Sequence, residues 1–190
     1  MQPLNNFTIK DLHKRIFEIS YKNNLSHVGS CITAVSILDN IFLTKKANEK
    51  VILSAGHAGL ALYCVIEKYE GIDAEKIWLH HGTHPDRCKD CHIDCSSGSL
   101  GNGLSISVGM AVANKKKNVY CLTSDGEWAE GSMWEALRLA NGLRNLTVYV
   151  NYNGWGAYGA FSFHTRRISR RCVPPSWATW RRSRASSRSV

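Results

Sequence analysis

The 190-residue sequence contains no apolar run approaching the ~20 residues that a membrane-spanning helix needs. Its start, MQPLNNFTIKDLHKR, lacks the charged beginning and apolar stretch of a secretory leader, so the expected location is cytoplasmic. It has no internal repeat and no complete disulfide framework, because its seven cysteines are an odd number. In a reducing compartment those thiols are core groups, metal ligands or reactive groups. Acidic residues are absent beyond position 160, where the chain carries eight arginines. Removing those eight from the net charge of +9 leaves the first 160 residues near +1. The basicity is therefore a property of the end of the sequence, not of a fold built to bind nucleic acid.

What remains has the composition of an ordinary globular domain, 44% hydrophobic and 21% charged, in a length that suits one sizeable core. Thr8 and Asp11 form a capping-box pattern, and Leu12, Ile16 and Ile19 follow at helical spacing, which predicts a helix over 9–23. Residues 26–31 read as a loop, with Thr33 capping a second helix that runs to residue 43. A short strand over 51–54 precedes a helix over 58–69 that stops near Gly71, then a helical turn or two over 74–80. Residues 81–103 form a long polar loop, of a length that is usually functional or disordered. A helix over 103–113 follows. A strand over 119–123, a helix over 132–143 and a strand over 146–150 then make a βαβ unit with parallel strands and a right-handed crossover.

Parallel strands end on one edge of their sheet, where open α/β sheets bind ligands. Thr123-Ser124-Asp125-Gly126 leaves the first strand of the unit at that edge, and Asn151-Tyr152-Asn153-Gly154 leaves the second. Asp125 and Asn153 are 28 residues apart in sequence, yet this topology brings them together. A carboxylate and an amide oxygen suit a hard cation such as Mg2+, which keeps few protein ligands and bridges to phosphates. Gly126 lets a phosphate approach the backbone, and the helix that follows presents its positive end.

These residues carry a resemblance. The stretch from Ser124-Asp125-Gly126-Glu127 to Asn153 resembles the thiamine diphosphate motif of transketolases, which opens with Gly-Asp-Gly; Ser124 stands where the first Gly is usual. Ser26-His27-Val28-Gly29 is similar to the family's Ser-Gly-His-Pro-Gly loop, one residue shorter and without the proline. Leu53-Ser54-Ala55-Gly56-His57 resembles Leu-Ser-Lys-Gly-His, and Thr83-His84-Pro85-Asp86 resembles Gly-His-Pro-Glu. Ser97-Gly98-Ser99-Leu100-Gly101-Asn102-Gly103-Leu104 resembles Thr-Gly-Pro-Leu-Gly-Gln-Gly-Leu. The segments occur in the family's order over residues 10–159, which is far more specific than any one of them.

The resemblance implies a three-layer α/β/α thiamine-diphosphate-binding fold with a mainly parallel sheet. It implies that Asp125, Asn153 and the carbonyl of Trp155 hold Mg2+ (or Ca2+). The cofactor's diphosphate and thiazolium would be lined by His57, Gly98, Ser99, Leu100, Asp125, Gly126, Glu127 and Asn153. His27, His57 and His84 would surround a reacting ketose, with Glu130 and Glu135 at a subunit interface linking two active sites. The implied activity is reversible transfer of a two-carbon ketol group between a ketose phosphate and an aldose phosphate. Deoxyxylulose-phosphate synthase, keto-acid dehydrogenase components and a non-catalytic cofactor-binding subunit are the alternatives. The family's cofactor lies between two domains, and nothing after residue 160 resembles the second. The implied partner is therefore a chain carrying the pyrimidine domain, in a homo- or hetero-oligomer, without which this chain is inactive.

Two features stand outside that resemblance. Cys88, Cys91 and Cys95, with His84 or His92, have spacing compatible with zinc, with an iron–sulfur cluster or with free thiols. Residues 1–160 read as the diphosphate-binding domain, and 161–190, rich in Arg and Ser and broken by Pro174-Pro175, as a tail that is disordered or out of frame.

Overall fold

The computed structural model describes residues 3–156 and 159–160. The chain opens with α1 (Ile9–Lys22), capped as its sequence predicts: the Thr8 hydroxyl accepts from the Asp11 amide while the Asp11 carboxylate accepts from the Thr8 amide. Helix α2 (Val28–Thr44) starts earlier than its sequence suggests, with His27 at the N-cap. Thr33 lies inside it and caps nothing; its hydroxyl donates back to the Gly29 carbonyl at 3.1 Å, a bond that the helix interior permits.

Strand β1 (Lys50–Leu53) leads through a short 3-10 turn, Gly56–Ala58, into α3 (Gly59–Glu70), which ends on the left-handed Gly71. Then come α4 (Ala74–His81), α5 (Asn102–Ala113), β2 (Val119–Ser124), a 3-10 turn Gly126–Ala129, α6 (Gly131–Leu139) and β3 (Leu146–Asn151). Helix α6 is shorter than the expected 132–143, because the chain turns out of it after Leu139. A two-residue pair, β4 (Trp155–Gly156) with β5 (Gly159–Ala160), follows.

The sheet has the order β1-β2-β3 and every pairing in it is parallel, with Leu53 opposite Leu122 and Ser124 opposite Asn151. Side-chain alternation along the strands makes the layers. Val51, Leu53 and Leu122 pack into one core with the buried faces of α1, α2, α3 and α4. Ile52, Val119 and Cys121 pack into a second core with α5 and α6. The result is the expected α/β/α sandwich. Helix α3 is buried nearly all round, including Tyr63, Cys64 and Ile66, which explains why its sequence shows little amphipathic contrast. Among the described residues, no helix is long and apolar enough to cross a membrane, and none of the cysteines forms a disulfide. The expected domain boundary at 160 and the Arg-rich tail fall at and beyond the end of the described residues.

Candidate active site

Strands β2 and β3 deliver their C-terminal residues side by side, and the ladder continues one step beyond them: the Asp125 amide donates to the Asn151 carbonyl at 3.2 Å. Asp125 is buried. Its Oδ2 accepts from the Gly154 amide at 2.7 Å and its Oδ1 from the Gly126 amide at 3.1 Å. Asn153 Oδ1 accepts from the Trp155 amide at 2.9 Å. The carboxylate after β2 and the Asn153-Gly154 turn after β3 are therefore in direct contact. Burial pushes the Asp125 carboxyl above its ordinary range, opposed by the amide hydrogen bonds.

Two residues beyond Asp125, Glu127 is fully buried and both its oxygens are engaged by the protein. Oε1 accepts from the Ser54 hydroxyl at 2.6 Å and the Gly101 amide at 3.0 Å. Oε2 accepts from the Ser124 amide at 2.8 Å and the Ser124 hydroxyl at 3.2 Å. One carboxylate thus ties together the segments after β1, before α5 and after β2. The same geometry accounts for Ser124: its backbone is not left-handed, so no glycine is required, and its hydroxyl finds a partner. The Ser54–Glu127 pairing is a site feature that sequence reading missed; a serine closing β1 was the available signal.

The three histidines arrive from three loops. His27 holds φ at 62°, a left-handed conformation uncommon outside glycine, and its ring stands 5.6 Å from that of His57. His84 lies against Gly98, where an added Cβ would stand 3.1 Å from its ring. The 3-10 turn bearing His57 presses on the same loop: a Cβ on Gly56 would meet the Gly98 amide nitrogen at 2.6 Å. Burial, followed by the charges of His27 and His84, lowers the His57 imidazole to about 4, so it is neutral at physiological pH. Two further contacts lock the frame: the Cys31 thiol faces the His57 carbonyl at 3.9 Å, and Asn151 donates to Thr33 Oγ1 at 2.9 Å, joining the end of β3 to α2.

Other expected residues lie further out. Ser99 and Leu100 are exposed on the rim of the Gly98 loop, and Trp155 is 66% exposed. Glu130 is exposed beside Gly101, where an added Cβ would stand 3.0 Å from the Glu130 Cβ. Glu135 is exposed on α6, paired with Arg138 at 3.0 Å. The cysteine grouping differs from the one expected. Cys88 and Cys91 come together with His81, not with Cys95, His84 or His92. Cys95 is buried in the second core and its thiol donates to the Ser96 carbonyl at 3.0 Å, while His92 pairs with Glu70 at 3.2 Å.

The edge suits a metal-bound diphosphate on its own chemistry. Its donors are hard oxygens, and a divalent cation favours the ionised form of an aspartate that burial disfavours. Ser97 Oγ, beside the close contact of Gly56 with the Gly98 loop, is a buried polar group with no hydrogen-bond partner among the described residues.

A parallel α/β/α sheet in which Asp125 meets the Asn153-Gly154 turn at the C-terminal edge defines an open α/β domain of the kind that binds ligands at that edge. Residues 43–171 match the family described as transketolase, thiamine diphosphate binding domain, and the chain belongs to that family. It is 33% identical over 153 residues to a transketolase of Pongo abelii, covering 68% of this chain and 24% of that protein. It is 30% identical over 164 residues to a 6-deoxy-6-sulfo-D-fructose transketolase subunit of a Clostridium species, covering 75% of this chain and 60% of that one. Its fold matches a transketolase from Leishmania mexicana with a TM-score of 0.66 at 20% identity, over 87% of this chain and 31% of that one. The chain thus spans about a quarter of the length of the full transketolase it matches.

Proposed function

We propose that this chain is the cofactor-binding part of a split transketolase, transferring a two-carbon ketol group between sugar phosphates in complex with a partner chain that carries the pyrimidine domain. The observation that carries this reading is the contact of Asp125 with the Asn153-Gly154 turn at the C-terminal edge of the parallel sheet. The Clostridium relative is itself a transketolase subunit, of whose length this chain covers 60%, which supports the division into two chains.

In this reading Asp125, Asn153 and the Trp155 carbonyl hold Mg2+, and His57, Gly126, Ser99, Leu100 and the backbone at Gly98 line the diphosphate and its ring. Thiamine diphosphate, when bound, supplies the electron sink for carbon–carbon bond cleavage. The chain's own residues do the rest. His57, neutral at physiological pH, donates or accepts a hydrogen bond at a sugar oxygen without bringing a charge. His27, with its ring 5.6 Å from that of His57, and His84, whose charge also acts on His57, carry ring nitrogens able to hydrogen-bond sugar hydroxyl groups. Glu127 touches no ligand in this scheme. It is a positioning residue, since its four hydrogen bonds are all to protein. Glu130, at the N-cap of α6, and Glu135, within it, are both exposed and available for a subunit interface.

The test is calorimetric titration of Mg2+ and thiamine diphosphate into the chain with and without its partner, followed by a product screen. Ketose donors consumed with an aldose acceptor support the reading. Turnover of pyruvate instead moves the chain to another thiamine enzyme class, and full activity of the isolated chain removes the partner requirement.

A further inference from the structure

The geometry points to a zinc site formed by His81, Cys88 and Cys91, outside the cofactor edge and joining the end of α4 to the tip of the long loop. One imidazole nitrogen and the two sulfurs all lie within 4.8 Å of one another. A tetrahedral zinc with Zn–S of about 2.3 Å and Zn–N of about 2.0 Å sets its ligand atoms roughly 3.5–3.8 Å apart, so closing on an ion takes a shift of at most about an ångström.

Three independent features prepare the group. Cys88 and Ile93 form a two-way backbone bridge, the Cys88 amide to the Ile93 carbonyl at 3.0 Å and the reverse at 2.8 Å, which folds 88–93 into a tight hairpin. Ile93 is buried in the main core and anchors that hairpin. Within the turn the Cys91 amide donates to Cys88 Sγ at 3.3 Å, the kind of outer-shell bond that stabilises a ligating thiolate. Finally, His81 Nε2 is buried with no hydrogen-bond partner, an orphan that a bound ion would satisfy.

The donor set chooses the metal. Two thiolates and a neutral imidazole are softer than anything Mg2+ or Ca2+ takes, and they make an electrically neutral centre with Zn2+, which limits the cost of burying it. Binding displaces one proton from each thiol to solvent. The fourth position is left to water; the charge of Asp86, which acts on His81, lies close by. The site's role follows from the loop's path. The arms of the hairpin continue in hydrogen-bonded contact, Arg87 to Ser96 at 2.7 Å and Ser97 to Pro85 at 2.9 Å, straight to His84 and Gly98. A metal at the tip therefore stiffens the loop that presents those two residues.

The experiment measures metal directly and does not depend on the transketolase reading. The full chain is purified under reducing conditions without chelator, its zinc is quantified, and Co2+ is exchanged in. About one zinc per chain is expected, with a thiolate-to-cobalt charge-transfer band of two-sulfur intensity. Both are lost in Cys88→Ser/Cys91→Ser and in His81→Ala, and both are kept in Cys95→Ser. Alkylation of the wild-type chain provides a readout independent of variant folding: Cys88 and Cys91 react only after chelation. Absence of zinc uptake, chelator-insensitive alkylation, a Cys88–Cys91 disulfide that binds no metal after reduction, or loss of metal in Cys95→Ser overturns the assignment.

Discussion

Replacing Glu127 with Gln isolates the contribution of one buried carboxylate to the frame of the site. The carboxylate accepts four hydrogen bonds, two from hydroxyls and two from backbone amides of Gly101 and Ser124. Hydroxyls can turn round and accept; amides cannot. A glutamine keeps one oxygen and places an NH2 where the other stood. If the NH2 takes the Oε1 position, the Gly101 amide loses its acceptor; if it takes the Oε2 position, the Ser124 amide does. Either way one buried N–H is stranded, at about 1–3 kcal/mol. With a urea dependence near 2 kcal/mol per molar, the unfolding midpoint of Glu127→Gln should fall by about 1 M. Glu127→Ala strands both amides and opens a cavity, about 3–6 kcal/mol, a large share of a typical domain's stability. Ser54→Ala removes one hydroxyl donor and should cost about 1 kcal/mol. A Glu127→Gln midpoint within about 0.2 M of wild type would refute the reasoning, because no placement of an amide satisfies both backbone donors.

Asp125→Ala should leave the fold in place and weaken Mg2+-dependent thiamine diphosphate binding by at least about 100-fold in calorimetry, since it removes the only charged donor proposed for the metal. His57 is held neutral down to about 4 when folded but protonates near 6.5 when unfolded. The unfolded state therefore binds the extra proton, and stability should fall as pH drops from about 6.5 towards 4. With allowance for partial solvent access, the loss is about 1–2 kcal/mol; His57→Gln should flatten that part of the urea-stability profile, and an unchanged slope would count against the burial argument. Gly56→Ala should be severely destabilising, because its Cβ would meet backbone atoms of Gly98 and Ser97 at 2.6 and 2.8 Å. Gly109→Ala, exposed within α5 and with nothing within 4 Å, should instead raise the unfolding midpoint by about 0.5–1 kcal/mol equivalent.

The sequence by itself determined the α/β class, the parallel βαβ unit and the pairing of the Asp125 and Asn153 turns. Short apolar strands, an amphipathic helix and short turns leave little topological freedom, and parallel strands must end on the same edge. It also carried the family through short segments whose order survives where overall identity is about 30%. What only the tertiary structure decided is how those loops meet. The start of α2 was hidden because His27 caps it in a left-handed conformation, with no Ser, Thr, Asp or Asn to mark the place. Glu127 reads in sequence as one more polar residue of the motif; that all its bonds go to protein depends on β1 and α5 approaching it from 73 and 26 residues away. The cysteines regrouped for the same reason. Spacing along the chain cannot tell that the Cys88–Ile93 bridge turns Cys95 into the core and swings Cys88 and Cys91 back to His81. Local pattern is set by bonds to near neighbours, whereas a site is set by which distant surfaces the packed core forces together.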